Sequence, residues 1–381
     1  MLSVLVSIIV FVIIIGIAIS VHEVGHFIAA KLSGIRVEEF ALGFGLKIFS
    51  KKYKGTNYVL KIFPIGGSIS ILGEEEKIKK KDSFSEKPYL VKIFVIVGGI
   101  IMNFFLSVMV FYVLLAHQNY IYSSLPYYDD FQLPFGEQTK AYAYPPFVLK
   151  VVEGGNAEKA GIKQYYELVE VNGEDVESAE ELKSVLEDNV LEIVEIGYVD
   201  EDGKEGNADV LVGEDGKIGI AHAEDIPLLQ VEYVGVQKYF SGFLHTVNMI
   251  EANFFLIGKV FQQAIEQKDI GPVSEAVSGP VGLLAITDTV REYAGFWGIF
   301  ELLGVLSIAL LVTNIIPIPG LDGSHVLFIT IETIIGKPIN ENIKKVIFGA
   351  GMILLFSLAF VVAIKDVFQF GIWDWVKELF S

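Results

Sequence analysis

The segment His22-Glu23-Val24-Gly25-His26 combines two imidazoles and a carboxylate at a spacing that suits a metal ion. Residues four apart lie on one face of an α-helix, so both histidines can reach the same ion. Glu23 sits about 100° further round the helix and can act on water beside the metal without being a ligand. The chain has no cysteine, which leaves His, Asp and Glu as ligands. Pore-facing or interfacial histidines are the alternative, but three polar groups would then need other partners.

A second apolar segment offers the third ligand that a catalytic zinc site usually has. In "LLVTNIIPIPGLDGSHVL" (310–327), two prolines and a glycine must break the helix, and Asp322 follows the break. Broken backbone at membrane depth is tolerated where it lines a cavity or is buried in protein. Taken alone, the segment also fits an interfacial helix end with a solvated Asp322. Together with the histidine pair, it predicts that His22, His26 and Asp322 hold one catalytic Zn²⁺.

The segments that must position these residues are uncharged apolar runs of membrane-crossing length. The chain has 381 residues, of which 52% are hydrophobic. A signal peptide is an alternative for the first run, but no basic region precedes it and no small-residue cleavage site stands out after it. The sequence therefore predicts an α-helical membrane protein with four spans and one inserted soluble domain. The four runs are Leu2–Val21, Ile93–Ala116, Leu302–Leu321 and Val346–Ile364.

The charge distribution predicts the orientation. Basic residues concentrate in 31–91 and 336–345, which places both loops in the cytoplasm by the positive-inside rule. The acidic insert and both termini are then expected outside, in a multi-pass protein of the plasma (inner) membrane whose metal site lies towards the cytoplasm. The lipid bilayer is the expected surrounding of the spans. The net charge of −18 argues against a nucleic-acid partner, because a phosphate-binding surface is basic.

The first cytoplasmic loop contains "NYVLKIFPIGGSISILG" (57–73), two β-rich runs around Pro64 and Gly66-Gly67. This pattern predicts a cytoplasmic-side, membrane-associated β-hairpin. One interpretation is a small sheet packed on the membrane face. The other is an unpaired strand edge, at Ile69, Ser70 and Ile71, that accepts an extended peptide by β-augmentation.

Between the second and third runs lies a long acidic stretch with strand and turn signals. Residues 118–235 alternate short strands, short helices and turns such as Asn172-Gly173, which predicts an α+β domain. Residues 236–300 are amphipathic, and either an interfacial helix or a packed helix of the insert fits them. At the other end of the chain, Trp373 and Trp375 stand beside charges, as in an interfacial anchor.

These motifs, in this order, resemble those of the site-2 proteases, a family of intramembrane zinc metalloproteases. "GIIMNF" (99–104) resembles the family's GxxxN(F) element, and "NIIPIPGLDG" (314–323) resembles its NxxPxPxLDG element. "FPIGGSISILGEE" resembles the membrane-associated hairpin, and "SGPVG" (278–282) resembles an element before the third span. The insert resembles one PDZ domain, although Tyr165-Tyr166 replaces the usual Gly-Asp, so that its turn must differ.

The resemblance implies hydrolysis of a peptide bond in or near a transmembrane segment of a protein substrate. Glu23 would be the general base, and Asn314 would orient substrate or stabilise the oxyanion. Asn103 would contact substrate backbone or, equally in keeping with its position, form an interhelical hydrogen bond. The strand edge at 69–71 would pair with the unwound substrate, and the PDZ-like domain would filter substrates.

A membrane-tethered PDZ scaffold without proteolytic activity is the competing interpretation, but such a protein needs neither the His-Glu-His motif nor Asp322. The predicted divisions are the first span (1–30), the loop with the hairpin (31–91), the second span (92–117), the PDZ-like domain (118–235), the connecting region (236–300), the third segment (301–335), and the fourth span with the C-terminal segment (336–381).

Overall fold

The structure is a computed structural model that describes residues 2–74, 78–142, 146–152, 154–176, 178–200, 203–222, 227–269 and 271–369. Trp373 and Trp375, the expected interfacial anchor, lie outside the described residues. The chain forms two compact units, one of residues 1–119 with 236–381 and one of residues 120–235. The second unit falls within the acidic stretch.

Eleven α-helices are present in the described part of the chain. They are α1 (Leu2–Leu32), α2 (Tyr89–Ile96), α3 (Gly98–His117), α4 (Asn156–Lys159), α5 (Ala179–Asp188), α6 (Ser241–Gln267), α7 (Gly271–Ala276), α8 (Pro280–Tyr293), α9 (Gly295–Ile315), α10 (Asp322–Ile335) and α11 (Glu341–Gln369).

Four of these helices are long and apolar enough to cross a membrane, as the sequence predicted. The spans cover Leu5–Leu32 of α1, all of α3, all of α9, and Asn342–Val367 of α11. The first span continues to Leu32, well past the apolar run. The His-Glu-His motif is therefore inside a continuous helix and not at its end, which fixes the relative orientation of its side chains.

Helices α1 and α3 cross in close contact at two glycines. A Cβ atom on Gly25 would lie 2.1 Å from the backbone oxygen of Gly98, and a Cβ on Gly98 would lie 2.7 Å from the backbone oxygen of Gly25. Small residues let membrane helices approach this closely, and the contact gains dispersion energy from both backbones. Gly25 therefore serves the packing of the helix that carries the histidines.

We expect Gly25→Ala to lower the free energy of unfolding by about 1–3 kcal/mol, because backbone atoms of α3 must move to admit the methyl group. The matched control is Gly258→Ala in α6, where a Cβ would meet nothing within 4 Å. This control should be neutral or should stabilise the helix by about 0.5–1 kcal/mol. Thermal unfolding in detergent measures both. Equal melting temperatures for the two variants would contradict the proposed close contact.

The loop that follows the first span forms a sheet from two long strands, β1 (Val37–Tyr53) and β2 (Thr56–Ile71). The two strands are joined by a tight turn at Lys54-Gly55, with φ angles of 45° and 84°. Positive φ at both central residues is typical of two-residue hairpin turns. The prediction that the turn falls at Pro64 to Gly67 is wrong.

The two β-rich runs of 57–73 belong to the same strand and do not pair with each other. Phe40 is opposite Tyr58 on one side and opposite Ile69 on the other, and Ala41 is likewise opposite both Val59 and Ser68. Residues 39–42 therefore lie between the two runs. This arrangement leaves 67–71 at one side of the sheet.

The helix is interrupted between α9 and α10, as the prolines predicted. The chain turns through Gly320, at φ 103°, before α10 begins at Asp322. A Cβ on Gly323 would lie 2.5 Å from the backbone oxygen of Ile315, so the start of α10 packs directly against the end of α9. This packing fixes the position of Asp322.

The connecting region forms α6, α7 and α8, which belong to the unit of the spanning helices. The "SGPVG" segment starts α8, and the backbone N–H groups of Gly279 and Gly282 both donate to Asp366 Oδ2 of α11 at 2.8 Å. A buried carboxylate at a helix N-terminus complements the positive end of the helix dipole. Asp366 thereby ties the fourth span to α8.

The second unit is an α+β domain. Its strands are β3 (Ile121–Pro126), β4 (Glu137–Tyr142), β5 (Val148–Val151), β6 (Glu167–Val171), β7 (Glu174–Asp175), β8 (Ile193–Val199), β9 (Glu205–Leu211), β10 (Ile220–His222) and β11 (Pro227–Glu232). They form antiparallel sheets in the orders β3-β11-β4, β10-β5 and β7-β6-β8-β9. Tyr165 adopts φ 72° in the altered turn and donates its N–H to the Val148 oxygen.

Candidate metal centre

Two helices bring the predicted metal ligands together. His22 and His26 lie one turn apart on α1, and Asp322 is the first residue of α10. The three ligand atoms all lie within 4.8 Å of one another. Both histidines are 8% exposed. Because His22 and Asp322 are 300 residues apart in the chain, tertiary packing alone creates this cluster.

The distances among the ligand atoms suit a zinc ion. His22 Nε2 and His26 Nε2 are 3.1 Å apart, and Asp322 Oδ2 lies 3.0 Å and 3.4 Å from them. Ligands about 2.0–2.1 Å from a tetrahedral zinc are about 3.3 Å from one another. The three atoms therefore form one face of a tetrahedron of the right size, and the residues present fit the metal.

A backbone group orients His26. Its Nδ1 lies 2.9 Å from the carbonyl oxygen of Val95 in α2. A carbonyl can only accept, so Nδ1 carries the proton and Nε2 keeps its lone pair for a metal. The sequence carried no signal for this contact, because any residue type supplies a backbone carbonyl.

The helix α3 passes directly behind the histidine pair. A Cβ on Gly99 would lie 2.5 Å from Cε1 of His22 and 2.6 Å from Nε2 of His26. Only glycine leaves room for both rings at this position. Gly99 is the first residue of the GxxxN pattern in the second span. The contact with both imidazoles explains why this position is glycine.

A cavity of about 250 Å³ opens beside the three ligand atoms. Glu23 lines it, and the Cγ of Glu23 lies 3.0 Å from where a Cβ on Gly67 would stand. The cavity is thus bounded by the helix that carries the histidines and by the end of β2. Its lining residues include His22, Glu23, His26, Ser68, Ile69, Ile71, Asp322 and His325.

The other predicted site residues divide between the cavity and the protein interior. Ile69 and Ile71 line the cavity, whereas Ser70 between them is exposed and does not. Asn314 is half-buried in the last turn of α9 and is not among the lining residues. Asn103 is fully buried behind His22. His325 lines the cavity with its ring 4.6 Å from that of Phe348.

Comparison with known proteins identifies the family of the chain. The family model described as peptidase family M50 matches residues 10–358. The chain belongs to this family. M50 comprises the site-2 proteases, so the resemblance seen in the sequence is confirmed, and the protein is a zinc metalloprotease whose activity implies a catalytic zinc ion.

Three relatives each cover almost the whole chain. A Clostridium perfringens protein named "Putative zinc metalloprotease CPE1693" is 30% identical over 361 residues, which are 92% of this chain and 95% of that protein. The regulator of sigma-W protease RasP of Bacillus subtilis is 26% identical over 427 aligned residues, covering 95% and 98%. Zinc metalloprotease RasP of Geobacillus kaustophilus is 25% identical over 450, covering 97% and 100%.

Proposed function

We propose that this metalloprotease hydrolyses a peptide bond in or near a transmembrane segment of a membrane-protein substrate. The observation that carries the proposal is the position of the site. Its ligands come from a spanning helix and from a helix that starts where another span ends, and the base candidate Glu23 lies within the first span. The name of the Bacillus relative, a regulator of sigma-W protease, fits a regulatory cleavage.

His22, His26 and Asp322 would hold the zinc ion. When bound, zinc supplies Lewis-acid polarisation of the scissile carbonyl and lowers the pKa of water. Glu23 would accept the proton of the attacking water and pass it to the leaving amine. Asn314, in the turn before the break, would orient the substrate beside the site. Gly67 lets the backbone of β2 approach Glu23 closely, which confines this carboxylate to the cavity.

The end of β2 is placed to bind substrate as an added strand. In the described residues, 67–71 pair with β1 along one edge, and Ser68, Ile69 and Ile71 also line the cavity. A helical substrate must unwind before its backbone can be cut, and an extended peptide can pair with an open strand edge. We propose that 69–71 present the substrate strand to the metal centre.

Ile69→Pro should slow cleavage at least tenfold, because the ring removes a backbone donor and crowds the strand edge. Zinc content should stay at the wild-type level, since residue 69 is not a ligand. Ile69→Val keeps the donor and is the matched control. Equal cleavage rates for the proline and valine variants, with both proteins folded and zinc-loaded, would remove strand pairing from the mechanism.

The β1–β2 sheet has a surface suited to the lipid bilayer. Large apolar side chains project from it, including Phe44, Leu46, Ile48 and Phe63, and Leu46 is 78% exposed. Lys51 and Lys52 lie at the end of β1, and Lys54 lies in the turn that follows. Apolar side chains in hydrocarbon with lysines at the headgroups would anchor the sheet at the cytoplasmic face. We propose this placement together with an extracytoplasmic position for the second unit.

The second unit is proposed to be PDZ-like and to filter substrates by size. Deleting 120–235 with a short flexible linker should increase cleavage of a single-span substrate with a bulky folded ectodomain. Cleavage of the same span with a short tail should change little. Rates in reconstituted vesicles measure both. A deletion variant that binds zinc but cuts neither substrate would instead indicate a docking role.

The main proposal is tested with purified protein in vesicles that contain a single-span substrate. Mass spectrometry of the products should locate the cut within the substrate's apolar segment or within a few residues of it. A peptide with the same sequence, free in solution, should be cut poorly. Cleavage confined to the soluble tail would overturn the intramembrane assignment while leaving the metalloprotease intact.

A further inference from the structure

Asn103 lies in α3 against the ring of His22 and is separated from the cavity. It has no exposed surface, and its Nδ2 is 3.4 Å from His22 Nδ1. Its side-chain oxygen is buried and has no hydrogen-bond partner. A side chain enclosed in this way offers no exposed surface to a substrate. Of the two roles expected for Asn103, its burial favours the interhelical one.

The chemistry of a metal-binding imidazole defines what that role requires. A neutral imidazole carries one proton, and a ring that gives the Nε2 lone pair to a metal must keep its proton on Nδ1. An acceptor is then needed beside Nδ1. The amide presents its NH₂ group there, and the oxygen and the NH₂ group of an amide have nearly the same size. A half-turn of the amide brings the buried oxygen to His22 Nδ1.

In His26, a carbonyl oxygen already accepts the Nδ1 proton, and the half-turn of the Asn103 amide would give His22 the same kind of acceptor. The Nδ1 of His26 has a carbonyl acceptor at 2.9 Å, supplied by Val95. The two histidines lie on the same helix and belong to the same cluster of candidate ligands. Their acceptors nevertheless come from different neighbouring helices. For His26 the acceptor comes from α2, and for His22 it would come from α3.

The local packing holds Asn103 in place for this purpose. Asn103 is one helical turn after Gly99, where the missing side chain lets α3 approach both imidazoles. Four residues further on, Ser107 donates to the Asn103 backbone oxygen at 3.0 Å and to the Gly304 oxygen at 3.3 Å. Asn103 therefore lies on a buried face of α3 that is hydrogen-bonded to α9 through Ser107. The amide can still turn about its own side-chain bonds.

We propose that Asn103 is a positioning residue whose side-chain carbonyl accepts the Nδ1 proton of His22 and so keeps Nε2 ready for zinc. This inference rests on the proposed ligand set. It predicts a role in metal affinity, since partners behind a metal-binding histidine typically change that affinity roughly 10–100-fold.

The test is zinc affinity, measured by competition with a chelator on the full-length protein in detergent, together with the absorption spectrum of the Co²⁺-substituted protein. Asn103→Leu should raise the Kd for zinc roughly 10–100-fold and change the cobalt bands. Asn103→Asp keeps an acceptor oxygen and should stay within a few-fold of wild type. Asn248→Leu, which removes another fully buried amide in α6, should leave both readouts unchanged.

Asn103→Ala replaces the leucine variant if that variant does not fold, since it removes the amide without adding bulk, and the same weakening is expected. Wild-type affinity and cobalt spectrum in a folded leucine or alanine variant would overturn the proposal. Equal weakening in Asn103→Asp would also overturn it, because packing would then explain the effect. His22→Ala separates the two levels: zinc affinity unaffected by His22→Ala would refute the ligand set itself.

Discussion

Asp322→Ala should reduce bound zinc from about one ion per protein to nearly none. The carboxylate oxygen lies 3.0 Å and 3.4 Å from the two imidazole nitrogens, so it supplies the third corner of the ligand triangle. Two histidines on one helix bind zinc much more weakly than three ligands in tetrahedral positions. Elemental analysis of detergent-purified protein after dialysis measures the loss.

A matched control keeps this result interpretable. Glu266→Ala removes an exposed carboxylate from α6 in the same structural unit and should retain the wild-type zinc content. Asp322 also begins α10, so a thermal unfolding curve must show that the variant is folded. Zinc retained at about one ion per folded Asp322→Ala protein would require a different third ligand. Loss of zinc would join the first span and α10 in one site.

The candidate metal centre can be predicted from the sequence because metal binding restricts the spacing of the ligand residues. On a helix, two histidines four residues apart lie on the same face, and the glutamate that follows the first histidine lies beside that face. Asp322 was accessible because prolines and a glycine break the helix directly before it, and such breaks at membrane depth need a reason. The groups behind the ligands were less accessible. The Val95 carbonyl has no residue signature, and the burial of Asn103 follows from the close approach of α3.

The sheet shows where local pattern reasoning failed. The sequence pattern predicts a turn at Gly66 and Gly67 between two paired strands, whereas the turn is at Lys54-Gly55. Both glycines serve close packing instead: a Cβ on Gly66 would meet the ring of Phe44 at 2.7 Å, and one on Gly67 would meet Glu23. Local sequence contains the glycines but does not contain the neighbours that require them. The same limit applies to Gly25, whose neighbour Gly98 is on another helix.

Glu23→Gln should reduce the rate of cleavage roughly 10²–10⁴-fold while leaving zinc bound. Glutamine has nearly the same shape but cannot accept a proton, and loss of a general base typically costs roughly 10²–10⁴-fold in rate. The Glu23 side chain lines the cavity beside the candidate ligands. It does not belong to the group of three residues whose ligand atoms lie within 4.8 Å of one another. Zinc content and cleavage are therefore expected to separate in this variant, in contrast to Asp322→Ala, where both are lost.

The comparison of these two variants distinguishes a base from a ligand. Cleavage of a single-span substrate in vesicles gives the rate, and elemental analysis of the same preparation gives the zinc. His325→Gln is the control for a change of polarity, since His325 lines the same cavity outside the motif. A Glu23→Gln protein that loses zinc would make Glu23 a ligand or a support of the ligand set. A Glu23→Gln protein that keeps both zinc and cleavage would show that Glu23 is not the general base. Another group that lines the cavity, first of all His325, would then have to be tested for that role.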